Sequence, residues 1–112
     1  MNYTEKCPLR FVMDTIGGKW KIPILWELNL NEVMRFNQLK NSVHGITNKM
    51  LTNSLQELIE AGLVERVQYN EMPVRVEYFL TDTGKELFPV LKSLTEWGDK
   101  HNVNGYNMSA EI

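Results

Sequence analysis

Between Ile46 and Gly62 the apolar residues Leu51, Leu55, Leu58 and Ile59 recur at i, i+4, i+7 and i+8, a single stripe of helical period. Thr47 offers an N-cap, and Gly62 stands where a left-handed stop is wanted. The face opposite the stripe carries Lys49, Asn53 and Gln56, flanked by Asn48 and Thr52. Asn and Thr are poorer helix formers than the Glu and Lys of an ordinary surface helix. They are, however, among the donors and acceptors that read base edges in a major groove. The pattern predicts a recognition helix.

The flanks complete a module. Phe36, Leu39 and Val43 repeat at i, i+3 and i+7 over residues 35–43, a short helix followed by His44-Gly45-Ile46, where Gly allows positive φ. Helix, tight turn and second helix make a helix-turn-helix. Downstream, Leu63–Tyr69 and Val74–Leu80 are strand-like, with Val74, Val76, Tyr78 and Leu80 alternating with Arg75, Glu77 and Phe79. Asn70-Glu71-Met72-Pro73 suits the tip of a hairpin and not a central strand. A two-stranded ribbon after a recognition helix is a winged helix. The fold class expected is α+β, mostly α.

Outside a core of residues 19–80 lie two further helical stretches. Leu9, Val12, Met13 and Ile16 mark a first helix (residues 8–16) ended by Gly17-Gly18. A second, inside the core, has Ile22, Leu25 and Trp26 on its inner face, with Pro23 expected to disturb its first turn or kink it. At the other end Thr81 caps a long helix expected to run over residues 81–103. Leu87, Leu91, Leu94, Gly98 and His101 form its stripe, Phe88 and Trp97 broaden it, and Pro89 should bend it. These outer stripes exceed what one small core absorbs, so Leu9, Val12, Met13, Leu87, Leu91, Leu94 and Trp97 are candidates for pairing across a two-fold axis. The alternative is a last helix folded back on its own domain. Residues 102–112 read as a frayed tail.

At 112 residues the chain reads as one domain, with 43% hydrophobic and 23% charged residues. No apolar run suits a membrane span, no signal peptide is evident, and one cysteine excludes an intrachain disulfide, so a cytoplasmic protein is expected. The net charge of −2 argues against DNA binding, but its distribution softens this. Residues 1–50 carry seven Lys/Arg against four Asp/Glu, and residues 51–112 five against ten. Lys19, Lys21, Arg35, Lys40 and Lys49 cluster in or near the helix-turn-helix, whereas Glu57 and Glu60 fall in the last turns of the recognition helix. Steering by net charge is weak, so modest affinity is expected unless two copies bind together.

Several patches resemble the HxlR-type winged-helix transcriptional regulators, relatives of the MarR group. They are Cys7-Pro8, Ile16-Gly17-Gly18-Lys19-Trp20, Arg35-Phe36 with Leu39, and Ile46-Thr47 through Lys49-Met50-Leu51-Thr52 to Leu55. They continue as Leu58, Gly62-Leu63-Val64, Pro73, Val76-Glu77-Tyr78, Leu80-Thr81, Gly84, Leu87 and Trp97-Gly98. The resemblance spans residues 7–101. It implies a homodimer that pairs through terminal helices and binds a palindromic operator in double-stranded DNA, with wings beside the backbone. It also implies that Cys7 is a candidate sensor of electrophiles or oxidants. The second cysteine of some redox-sensing members is missing, which leaves the partner's Cys7 as the one thiol for an intersubunit disulfide.

The candidate DNA contacts are therefore Thr47, Asn48, Lys49, Thr52, Asn53, Gln56, Arg35, Lys40, Arg66 and Arg75. For Arg66 and Arg75 the competing reading is cross-strand pairing with glutamates. Cys7 precedes Pro8 at a helix N-cap near Lys6 and Arg10, a setting that favours thiolate; its competing reading is a small buried hydrophobe. His44 and His101 lack further ligands at metal spacing. Trp20, Trp26, Trp97 and Phe88 either line a pocket for a small-molecule effector near the dimer interface or serve as packing. No nucleophile with a base, phosphate-cradling loop, cofactor motif or metal spacing is present, so no enzyme, cofactor or membrane partner is expected. A winged helix used for protein–protein contact is the main alternative, and its mark would be an apolar or acidic recognition face.

Overall fold

The computed structural model describes residues 2–102. Its elements run α1 (Pro8–Ile16), α2 (Lys21–Leu30), α3 (Phe36–Ser42), α4 (Asn48–Glu60), β1 (Val64–Tyr69), β2 (Arg75–Leu80), α5 (Asp82–Lys85) and α6 (Phe88–His101). The expected boundaries of the helix-turn-helix and the hairpin hold to within a residue or two. The tail expected over 102–112 lies, apart from Asn102, outside the described residues.

Helix α4 is built at both ends as its sequence dictates. Thr47 Oγ1 accepts the Met50 N–H at 3.1 Å. At the other end Leu63 N donates to Leu58 O and Gly62 N to Ile59 O, each at 3.0 Å, the double closure of a Schellman motif. Gly62 takes φ 79° there, and Gly45 takes φ 85° in the turn between α3 and α4. Both are backbone states that a Cβ disfavours.

Strands β1 and β2 pair antiparallel, Val64 opposite Leu80 through Tyr69 opposite Arg75. A third short piece of strand, not legible in the sequence, joins them: Met34 N donates to Tyr78 O at 3.0 Å, and Tyr78 N to Met34 O at 2.8 Å. This bridge hangs the start of α3 on the wing. Thr81 ties the far end of the hairpin to α4, its Oγ1 donating to Gly62 O at 2.6 Å while accepting the Gly84 N–H.

The core gathers Leu39, Val43, Leu51, Leu55 and Leu58 with Val64, Tyr78 and Leu80 around α2. In α2 the burial departs from expectation. Ile24, Leu25 and Leu28 are the buried residues, and Ile22 and Trp26 pack only partly. The helix is enclosed on several sides, so its apolar residues show no single stripe. Pro23 does not interrupt α2, because it falls in the first turn, where backbone N–H groups have no intrahelical acceptor.

The expected single C-terminal helix is in fact two. α5 stops at Lys85, Leu87 N turns back to Gly84 O at 3.2 Å, and α6 restarts at Phe88 with Pro89 in its first turn. The missing Pro89 N–H, expected to bend one helix, instead sits where a new helix tolerates it. Trp26 stacks on Phe88, ring centroids 5.9 Å apart, and clamps α6 to α2.

Candidate nucleic-acid interface

The N-terminal half of α4 presents Thr47, Asn48, Lys49, Thr52 and Asn53 to solvent, with Gln56 one turn on. Leu51, Leu55 and Leu58 are wholly buried behind them, so the helix is held by its stripe and its polar face is free. Ser54 is buried and Met50 is 42% exposed, an apolar side chain on the outer surface that the stripe did not foretell. Gln56 Nε2 donates to Glu60 Oε1 at 3.1 Å, which engages part of its amide. The acidic residues crowd the C-terminal half, leaving the N-terminal half as the part that a polyanion approaches most readily.

The cations divide. Arg35 is exposed and Lys40 half-buried, both on the first helix of the helix-turn-helix or at its edge. Arg66 is exposed on β1, and its Nη2 donates to Gln68 Oε1 at 3.2 Å. Arg75 is not a free wing cation: its Nε lies 3.6 Å from both Glu71 Oε1 and Glu77 Oε2, and its guanidinium carbon 4.2 Å from the centre of the Tyr69 ring. The expected glutamate pairing exists, but it comes from the hairpin tip and along the strand. The cross-strand neighbour is Tyr69. Lys21 is likewise engaged, with Glu57 at 3.2 Å. Glu71 and Glu77 are the residues sequence reasoning passed over. Their spacing of four and two from Arg75 was the available signal.

A second surface is apolar. On α1, Leu9, Phe11, Val12 and Met13 are exposed, and on α6, Val90, Leu94 and Trp97. Phe11 at 71% and Trp97 at 66% are large side chains to leave in water. Two proposed pairing residues go elsewhere: Leu91 is buried in the core of its own chain, and Leu87 packs against that core. Both lie on the side of the C-terminal segment that α2 and the Trp26–Phe88 stack draw inward.

An open cleft of about 600 Å³ runs between α2, the helix-turn-helix turn and α6, lined in part by Trp20, Trp26, His44, Leu91 and Leu94. Trp97 does not line it and instead meets His101, ring centroids 4.7 Å apart. Cys7 occupies the N-cap of α1 with extended backbone, as its place before Pro8 implies, but it is only 7% exposed. Its N–H donates to Thr4 O at 3.0 Å, closing a turn immediately before α1. Arg10 lies over the Tyr3 ring, 5.9 Å from its centroid. Among the described residues, no group of three His, Cys, Asp or Glu is placed to hold a metal ion, and no helix is long and apolar enough to cross a membrane.

Comparison with known proteins decides the family, because the model of the HxlR-like helix-turn-helix matches residues 15–105. The chain belongs to the HxlR-like helix-turn-helix family. It is an HTH-type transcriptional regulator with a winged-helix fold. Over 95 residues it is 39% identical to the HTH-type transcriptional regulator YdzF of Bacillus subtilis, covering 85% of this chain and 87% of that one. Among solved structures, the redox regulator HypR in its oxidised form matches with TM-score 0.79 and 39% identity, over 85% of this chain and 97% of that one. The reduced form of the B. subtilis regulator YodB matches with TM-score 0.75 and 31% identity, over 88% and 97%.

Proposed function

We propose that this HxlR-like regulator is a sequence-specific DNA-binding protein that works as a homodimer on a palindromic operator. The observation that carries the reading is the exposed amide- and hydroxyl-bearing N-terminal half of α4, fixed on a fully buried Leu stripe. Such a face matches base-edge hydrogen bonding, whereas a protein-docking winged helix would present apolar or acidic residues there. The exposed apolar faces of α1 and α6 support the dimer, since two-fold pairing removes Phe11, Leu94 and Trp97 from water. In the cytoplasm such a dimer sets two recognition helices for half-sites about one turn of DNA apart, or a multiple of it.

The same reading makes Cys7 the point where thiol chemistry adjusts DNA affinity. It starts a helix assigned to the dimer interface, and two of the structural neighbours are described as a redox regulator and a regulator in its reduced form. Its burial means that a reagent reaches the sulfur only when the structure around it opens. The experiment is to search the DNA upstream of this gene and its neighbours for an inverted repeat, and to titrate that duplex and a scrambled one. Equal affinity for both would refute sequence-specific binding.

A further inference from the structure

The wing has a second face, turned away from Val74 and Val76. Tyr69 stands opposite Arg75 in the register, so alternation puts Tyr69, Arg75, Glu77 and Phe79 together on it. Arg75 stacks on Tyr69, 4.2 Å from the ring centre, and its Nε stands 3.6 Å from Glu77, which keeps that face in order. Tyr69, Glu77 and Phe79 line an open cleft of about 480 Å³, and none of its walls comes from α4.

The other walls come from the end of α2, the residues just after it, and α5. Asn29 contributes a half-buried amide whose Nδ2 is buried and has no hydrogen-bond partner. A buried donor left unfilled is unusual and calls for an acceptor. Glu32 and Lys85 line the same cleft with opposite charges, yet among the described residues neither forms an ion pair, with the other or with any third group. Val33 and Phe79 add apolar surface.

We propose that this cleft binds a free α-amino acid with an apolar side chain. Its ammonium goes to Glu32 and Glu77, its carboxylate to Lys85 and the Asn29 Nδ2, and its side chain lies on Phe79 and Val33. Each simpler ligand leaves a group unmatched. An anion alone meets two carboxylates against one ammonium. An amine alone opposes Lys85 and leaves the Asn29 donor unfilled. A ligand with both charges satisfies both sides, through charge-assisted hydrogen bonds that are stronger than neutral ones. The volume and the mixed apolar and polar lining suit a small molecule. Glu32 and Val33 directly precede Met34, and Glu77 directly precedes Tyr78. An amino acid held there would therefore brace the Met34–Tyr78 bridge that sets α3 against the wing.

The test is calorimetric titration of the full chain at neutral pH with L-leucine and with L-phenylalanine. Each is run beside the amine that lacks its carboxylate and the acid that lacks its ammonium. At least one amino acid should bind, and its two single-charge analogues should each bind roughly tenfold more weakly, the loss of one charge-assisted contact. Lys85→Gln should weaken the amino acid but not the amine, and Glu32→Gln the amino acid but not the acid. Both side chains are exposed, so these variants should fold, and thermal melts without ligand check it. Asn29→Asp should weaken the amino acid by setting a carboxylate against its own. No binding of either amino acid at any soluble concentration overturns the proposal. An amine or acid that binds as tightly as its parent overturns it too, since one charge then suffices. Binding that all three substitutions leave unchanged lies elsewhere and overturns the assignment to this cleft.

Discussion

Lys21 Nζ sits 3.2 Å from a carboxylate oxygen of Glu57, tying the first turn of α2 to the later turns of the recognition helix α4. Lys21 also donates to Thr15 O at 3.3 Å and is 13% exposed, whereas Glu57 is 61% exposed. The pair silences two charges at once. A lysine that sequence places among the cations near the helix-turn-helix is not free for phosphate, and a glutamate on the recognition helix does not repel it at full strength.

Glu57→Gln tests that relationship. Because Glu57 is mostly in water, the pair contributes only ~0.2–1 kcal/mol, and the variant should melt in urea within that margin of wild type. Freed of its partner, Lys21 should strengthen binding to operator and scrambled DNA alike. A large loss of stability would show that the pair organises the α2–α4 contact itself.

Asn53→Ala should cost ~1–3 kcal/mol at the operator and relax base preference, because a side-chain amide facing the groove has no intrahelical task to perform. Gln56→Ala should cost less than Asn53→Ala, since Gln56 must first give up its 3.1 Å bond to Glu60. Anisotropy titrations on operator and scrambled duplexes measure both. Equal losses on the two duplexes for Asn53→Ala would assign it to the backbone and not to the bases.

Leu94 and Leu91 separate oligomerisation from folding. Leu94 is 53% exposed and Leu91 is 3% exposed, on the same helix. Leu94→Glu should place an unpaired charge in the dimer interface and yield a folded monomer by light scattering. Leu91→Ala should lower stability by ~2–5 kcal/mol through a core cavity. Wild type eluting as a monomer at micromolar concentration would remove the dimer from the model of function.

Treatment with diamide or a quinone should modify the buried Cys7 slowly and should weaken operator binding; Cys7→Ser should be indifferent. A loss of only ~1.4 kcal/mol in affinity is a tenfold change in binding. Mass spectrometry checks the extent of modification, and a non-reducing gel distinguishes a bond to the partner's Cys7 from a small adduct. Fully modified protein that binds like the reduced form would make Cys7 a packing residue.

The recognition helix was legible from residues 47–62 alone, because each determinant is local. The cap is Thr47 to Met50, the stop is Gly62, and the stripe is set by helical period. The hairpin was equally legible, since alternation and a Pro-bearing tip need no distant partner. Hence the family, the fold class and the polar face of α4 were all accessible before any coordinates.

What tertiary structure alone decided was the fate of residues whose role depends on partners far along the chain. The sequence shows Leu91 and Leu94 on one stripe, but only the packing of α6 on α2, through Phe88 and Trp26, turns the first inward and leaves the second exposed. Lys21 reads as a free cation because a charge's neighbours are set by three-dimensional approach, and Glu57, 3.2 Å away, is remote in sequence and gives no periodic signal. Met34 has no alternating neighbours to announce a strand, and its place against Tyr78 exists only once α3 and the wing are brought together. Local propensity and period are written into short windows of sequence, whereas side selection, charge pairing and single-residue bridges come from the collapse that brings those windows into contact.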